Sequence, residues 1–237
     1  MLRRFEVYAL RPDAPADAVV GLEEACRRCG RFIPEVLDSA VGTNLSDAPV
    51  QLVWEHGYAS PEAYRRYMVH PYHAAVIDRY LLPDAPERIV IDGPLGAGLY
   101  GYRCDTPSYR MSSGVRRLVL LHLDNRSTET DVARLAETLE EAPTDVGGMA
   151  VSIVAANSMG SAWFDGVTPL MGPPRWTHIW EQGFSSLEAL EDYRHGDSSV
   201  AAVERGGWDR QLGGIVKRSA ELFYEVSRDT EETSGHE

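Results

Sequence analysis

The sequence predicts an α+β chain made of two tandem copies of one β-α-β-β-α-β unit. Three observations carry this. The chain resembles itself along most of its length, each copy passes through strand-like and helix-like periodicities in the same order, and loop-forming residues mark the joins. At 237 residues and 43% hydrophobic content, there is room for one large domain or two of about 110 residues, with a proper core.

Arg3-Arg4-Phe5-Glu6-Val7-Tyr8-Ala9-Leu10 resembles Arg116-Arg117-Leu118-Val119-Leu120-Leu121-His122-Leu123 at an offset of 113 residues, and such self-similarity is read before anything else. At the same offset "VGTN" at 41–44 falls on "VAAN" at 154–157, while "WEHGYASPEAYRRY" at 54–67 matches "WEQGFSSLEALEDY" at 180–193 at an offset of 126. The extra 13 residues lie between Asn157 and Trp180, in a Gly- and Pro-rich stretch that reads as a loop.

Each copy opens with an apolar, β-branched strand at 3–10 and 116–123. An amphipathic helix follows, with Val19, Leu22, Cys26, Cys29 and Ile33 on one face in the first copy and Val132, Leu135, Leu139 and Ala142 in the second. Thr128 with Asp131 reads as a capping box. Second strands are predicted at 36–44 and 149–157, and third strands at 50–58 and 176–184. Short helices begin at Ser60-Pro61 and Ser186-Leu187, serine being a good N-cap and proline a good first-turn residue. Further helical pieces follow at 73–82 and 199–210, last strands near 87–92 and 214–218, and one added strand per copy at 98–103 and 221–226. This order is that of the ferredoxin-like plait. A lone plait leaves one sheet face open, and burying two such faces together closes a barrel. The predicted architecture is therefore two fused ferredoxin-like plaits forming an intramolecular dimeric α/β barrel. The first plait spans 1–103, a linker 104–113, the second plait 114–227, and an acidic, polar tail expected to be disordered 228–237.

A net charge of −13 argues against nucleic-acid binding, which needs a basic face. No run of 18 apolar residues predicts a membrane span, and the N-terminus lacks a secretory h-region. Three cysteines are too few for a disulfide framework and fit a reducing cytoplasm. Cys26-x-x-Cys29 has the spacing of a redox pair, but its counterparts Leu139 and Ala142 mark both as packing positions. His70, His73 and His56 invite a metal reading. Pro71 breaks the helix between the first two, no acidic or cysteine cluster completes the set, and no tightly bound metal is expected. "GPLGAGLYG" at 93–101 precedes a strand and reads as a turn, not a phosphate cradle.

The third strands are aromatic on one face, with Trp54, His56 and Tyr58 in one copy and Trp176, His178, Trp180 and Phe184 in the other. The bland reading is a core stripe. The alternative is a pocket for a flat aromatic molecule, bound by Trp54, His56, Tyr72, Trp176, His178 and Trp180. Tyr67 and His73 flank the Pro71 break, where a helix corner can turn both inward. An imidazole takes a proton near neutrality and a phenol donates to a carbonyl or enolate oxygen. The second copy keeps the tyrosine as Tyr193 but has Gly196 and Ser199 for His70 and His73, so the fold does not require the histidines. His73, Tyr67 and His70 are the candidate catalytic residues, present once per chain.

Trp54-Glu55-His56-Gly57-Tyr58, followed by Tyr67-Met68-Val69-His70-Pro71-Tyr72-His73, resembles the stress-responsive A/B barrel family, known as Dabb, of the dimeric α/β-barrel superfamily. The resemblance runs over both copies and is degenerate in the second, where "RHGDSS" replaces "MVHPYH". It implies plaits paired into a barrel. One branch of the family closes polyketide rings by aldol condensation without metal or cofactor, and its catalytic roles carry over to Tyr67 and His73. The fused form is also similar to ring-opening oxygenases of angucycline pathways. That resemblance implies oxidation of a polycyclic aromatic polyketide by O₂, with reduced flavin as a diffusible cosubstrate and a flavin reductase as partner. The expected activity is such an oxygenase. The alternatives are a cofactor-free cyclase using the same pair and a non-catalytic ligand-binding barrel.

Overall fold

The computed structural model describes residues 1–91, 97–105, 109–140, 147–158, 176–196 and 214–229. The first copy runs β1 (Leu2–Tyr8), α1 (Ala16–Arg27), α2 (Cys29–Phe32), β2 (Val36–Thr43), β3 (Leu52–Tyr58), α3 (Pro61–Met68) and β4 (Ala97–Arg103). After α3 the chain makes a wide π-helical turn, His73–Ile77, and a 3₁₀ turn, Asp78–Tyr80. The second copy runs β5 (Val115–Leu123), α4 (Glu129–Glu140), β6 (Met149–Ala156), β7 (His178–Phe184), α5 (Leu187–His195) and β8 (Val216–Glu225), followed by a short β9 (Ser227–Arg228).

Local chemistry fixes the helix starts. Ser60 Oγ accepts from the Ala63 amide at 3.2 Å and Ser186 Oγ from the Ala189 amide at 3.1 Å, each satisfying an amide the first helical turn leaves unpaired. Thr128 and Asp131 exchange bonds as a capping box: the Asp131 amide donates to Thr128 Oγ1 at 3.2 Å and the Thr128 amide to Asp131 Oδ2 at 3.0 Å.

The sheets are antiparallel, in the orders β4-β1-β3-β2-β9 and β6-β7-β5-β8. Alternation assigns the faces. In β1 and β3, Arg4, Glu6, Tyr8, Trp54, His56 and Tyr58 turn toward the helices, while Arg3, Phe5, Val7, Val53 and Glu55 turn toward the other sheet. Phe5, Val7, Val53, Tyr100, Leu118, Leu120, Ile179 and Leu222 form the core between the two sheets.

A buried ion cluster with pseudo-twofold symmetry sits in that core. Arg3 Nη2 lies 2.8 Å from Glu55 and 3.1 Å from Glu181, and Arg116 lies 3.2 Å from Glu55 and 2.6 Å from Glu181. Tyr102 and Tyr224 donate to Glu181 and Glu55 at 2.6 and 2.7 Å. The recurring Trp-Glu-x-Gly is thereby explained. Its Trp faces the helices, its Glu faces the partner copy, and its Gly admits the linker. A Cβ on Gly57 would stand 2.7 Å from the Tyr109 hydroxyl, and one on Gly183 would collide with the Met111 sulfur.

Several predicted elements need correction. Among the described residues, 87–91 contribute one isolated bridge, Leu10 to Val90, and no strand. The edge strand of the first plait is β4, expected to be an added strand. In the second copy the two predicted strands at 214–218 and 221–226 are one, β8. Arg228 and Asp229, placed in the tail expected to be disordered, pack against the first copy. Arg228 pairs with Ala40 in β9 and forms ion pairs with Asp38 and with Glu55, the latter at 2.6 Å, because two buried carboxylates there need a cation. The barrel closes only in part. The two ladders stay separate. They are joined at one margin by β9 and an Asn44–Tyr224 bridge, and at the other by the Ser158 amide and Asn157 side chain on Gly101. The predicted helix at 199–210 lies outside the described residues.

Candidate active site in the first copy

The site lies between the helix-facing side of the first sheet and the α3 corner. Ser60 and Pro61 start α3, whose period puts Ala63, Tyr64 and Tyr67 inward. Pro71 follows the helix end. The π-helical turn then brings His73 back against Tyr67, their ring centroids 4.4 Å apart. Such wide turns are uncommon and concentrate at functional positions. His73 is 5% exposed and Tyr67 is fully buried.

Below the pair lies an aromatic and charged floor. Trp54 stacks on His56 with centroids 4.1 Å apart, and Tyr67 stands 5.7 Å from His56 and 5.1 Å from Tyr58. His56 Nδ1 is 2.6 Å from the Tyr58 hydroxyl and its Nε2 is 3.3 Å from Glu6 Oε1. Glu6 is held by Arg4 Nη2 at 2.8 Å and accepts from the Tyr8 hydroxyl at 2.6 Å. Burial alone would raise the Glu6 carboxyl, but Arg4 and the bonds from His56 and Tyr8 outweigh it and hold it at about 2. Burial pushes His56 down to about 4, with Glu6 opposing, so at neutral pH this is a neutral imidazole beside a carboxylate. Burial also pushes Tyr58 and Tyr67 well above the usual phenol range.

His73 Nδ1 lies 3.4 Å from Asp78 Oδ2. Burial lowers the imidazole, with Asp78 opposing, and burial raises the Asp78 carboxyl. The imidazole is therefore uncharged near neutrality and free to accept a proton. The Tyr67 hydroxyl has no hydrogen-bond partner among the described residues. A buried unpaired hydroxyl is costly in an ordinary core, and here its ring packs edge-on against a group that takes protons.

Not every predicted residue joins this site. Tyr67, His73, His56 and Trp54 converge. His70 accepts from the Tyr72 amide through Nδ1 at 3.2 Å and serves the corner itself. Tyr72 stacks on the half-exposed Phe32 at 4.5 Å and donates to the Ala25 carbonyl at 3.1 Å, outside the cluster. His178 and Trp180 belong to the helix-facing side of the second sheet and Trp176 to the core between the sheets. Among the described residues the two aromatic strands therefore do not bring these six side chains together. The sheet register explains this: by position His178 matches Leu52, and His56 matches Gln182. The two tryptophans are equivalent and structural, since Trp54 and Trp180 donate to Ser39 and Ser152, each at 2.9 Å. Of the loop at 158–176, expected to shape the pocket, residues 159–175 lie outside the described residues.

Arg4, Glu6, Tyr58 and Asp78 complete the site and are not singled out by the sequence reading. The repeat held the signal for two of them. Glu6 falls on Val119 and Tyr58 on Phe184, polar groups of one copy replaced by apolar ones of the other. In the second copy Arg117 instead donates to Gln182 at 2.6 Å. Among the described residues no group of three or more His, Cys, Asp or Glu side chains could hold a metal. Cys26 and Cys29 are buried packing residues without a disulfide.

Residues 2–94 match the family model of the Stress responsive A/B Barrel Domain. No curated protein matches the sequence. Among solved structures, an anthrone oxidase-like protein superposes with a TM-score of 0.61 at 11% identity, covering 96% of this chain and 91% of its own. A candidate monooxygenase from Lactobacillus acidophilus gives 0.56 at 10%, covering 95% and 93%. A mutant chlorite dismutase from Candidatus Nitrospira defluvii gives 0.57 at 11%, covering 95% and 91%. At such identities the likeness is one of fold.

Proposed function

We propose that this two-copy chain, whose first copy carries a stress responsive A/B barrel domain, is an oxygenase of a phenolic, polycyclic aromatic polyketide. The observation that supports it is one juxtaposition: the buried, unpartnered Tyr67 hydroxyl against the uncharged His73 imidazole backed by Asp78. His73 takes the phenol proton, and Asp78 steadies the imidazolium. Tyr67 donates to the oxygen on which negative charge develops. The electron-rich anion adds O₂ at a ring carbon, and the hydroperoxide loses water, so a phenol and O₂ become a quinone and water. The names of the anthrone oxidase-like and candidate monooxygenase neighbours agree with oxygen chemistry on this fold.

Tyr67 and His56 are fully buried and His73 nearly so, so a polycyclic substrate, like the isoalloxazine ring of a reduced flavin, reaches them only when the 68–78 corner moves. No step is assigned to flavin, nor to a reductase partner.

The test is turnover of an anthrone or naphthol probe, with and without O₂, by wild type and His73→Ala. The oxygenase reading expects quinone only in O₂, and at least a hundredfold loss in the variant, the order contributed by a positioned base. Ring closure without O₂ would point instead to the cyclase that uses the same pair. Probe binding without turnover would point to a ligand-binding barrel.

A further inference from the structure

The Tyr58–His56–Glu6 chain takes no part in that proton transfer, yet all three side chains are buried and in close contact. The geometry points to a further activity: Tyr58 is a redox-active tyrosine that gives up one electron to a one-electron oxidant while its proton passes to His56.

The arrangement fixes the direction of the proton. Glu6, ionised against Arg4, lies 3.3 Å from His56 Nε2, and a carboxylate so placed favours the tautomer with its hydrogen on Nε2. A neutral imidazole with its hydrogen on Nε2 has a bare Nδ1, and that atom stands 2.6 Å from the Tyr58 hydroxyl. Tyr58 is therefore the donor. As ordinary acid–base partners the two are badly matched, since burial moves the phenol up and the imidazole down. Closed-shell transfer leaves the phenol proton where it is. Loss of an electron reverses this, because a phenol radical cation is a strong acid. The O–H bond breaks, the new N–H bond forms at His56 Nδ1, and the products are a neutral phenoxyl radical and an imidazolium facing the Glu6 carboxylate. The oxidant, such as an oxygen-centred radical, is reduced by one electron. A reductant returns the electron, and the proton goes back.

Two further features suit this role. Tyr58 lies in a cluster of rings through which an electron can move: Tyr67 at 5.1 Å, Tyr64 at 5.4 Å and His56 at 5.3 Å, with Trp54 stacked behind. The cluster reaches His73 through Tyr67. The second copy has Phe184 for Tyr58, Gln182 for His56 and Val119 for Glu6. All three members of the chain are absent there, although the same layer still packs.

The inference is tested without substrate or O₂, so it stands or falls independently of the oxygenase reading. A photogenerated ruthenium(III) polypyridyl complex is the oxidant, and the tyrosyl radical is followed by transient absorption and freeze-quench electron paramagnetic resonance. Wild type is expected to give a long-lived radical whose formation slows in D₂O. Tyr58→Phe and His56→Gln, the residues the second copy already accommodates, are each expected to lower its yield at least about tenfold. Tyr8→Phe, at the other Glu6 oxygen, is expected to retain it. Retention of the radical in Tyr58→Phe or His56→Gln, its loss in Tyr8→Phe, or no long-lived radical in wild type overturns the assignment. Circular dichroism and thermal unfolding confirm that each variant is folded.

Discussion

His56 makes the chain sensitive to mild acid by a calculable amount. An exposed histidine titrates near 6.5, whereas burial takes His56 down to about 4. The sign follows from linkage: the unfolded chain binds the proton first, so stability is complete above 6.5 and falls as pH drops from there toward 4. From pH 7 to pH 5 the unfolded chain takes up the proton and the folded one scarcely does, a loss of about 2 kcal/mol from this group alone. The perturbation is His56→Gln, a residue that cannot titrate and that the second copy already holds at the equivalent Gln182. Urea unfolding of both proteins at pH 7 and pH 5 is the assay. The wild type is expected to lose about 2 kcal/mol more than the variant over this interval. His73 and His178, also lowered by burial, act equally in both proteins and cancel. Equal losses in the two proteins would show that His56 titrates normally, and so that it is not sealed against Glu6 as described.

Tyr67→Phe is expected to abolish turnover while leaving thermal stability unchanged or raised by up to about 1 kcal/mol, since it removes a buried hydroxyl without a partner. Glu55→Ala takes one carboxylate from the buried cluster and leaves Arg3 and Arg116 to share Glu181, and is expected to cost about 3–5 kcal/mol in chemical unfolding. Gly57→Ala drives a methyl to 2.7 Å from the Tyr109 hydroxyl and is expected to cost about 1–3 kcal/mol. Adding Tyr109→Phe should recover part of that loss in a double-mutant cycle.

The plait order and both serine caps were legible because they are local: a period, a hydroxyl, a proline. The strand at 97–103 was misjudged because a short apolar run at 87–92 has the same appearance, and only tertiary pairing with β1 decides between them. Tyr67 and His73 could be read from the contrast between the copies. Asp78 could not, because its part depends on the π-helical turn, which has no sequence period to announce it. The separation of His56 from His178 was not legible for another reason. Alternation gives the face of a strand but not which of two sheets lies behind it. Glu55 and Glu181 were visible only as motif letters, and their meaning needed the second copy in place.

Arg228 has a consequence for the order in which the chain matures. Its guanidinium neutralises Asp38 and Glu55 of the first copy, yet it lies 185 residues beyond the end of β2 at Thr43. At about 5–20 residues per second, a ribosome delivers it roughly 10–40 s after β2 is made. Through that interval the first sheet has one cation, Arg3, for the two carboxylates Asp38 and Glu55, alongside an uncovered apolar face. The half that holds the candidate site is thus the first to be made and among the last to be finished, and its release as a separate fragment would leave it permanently at that unfinished stage.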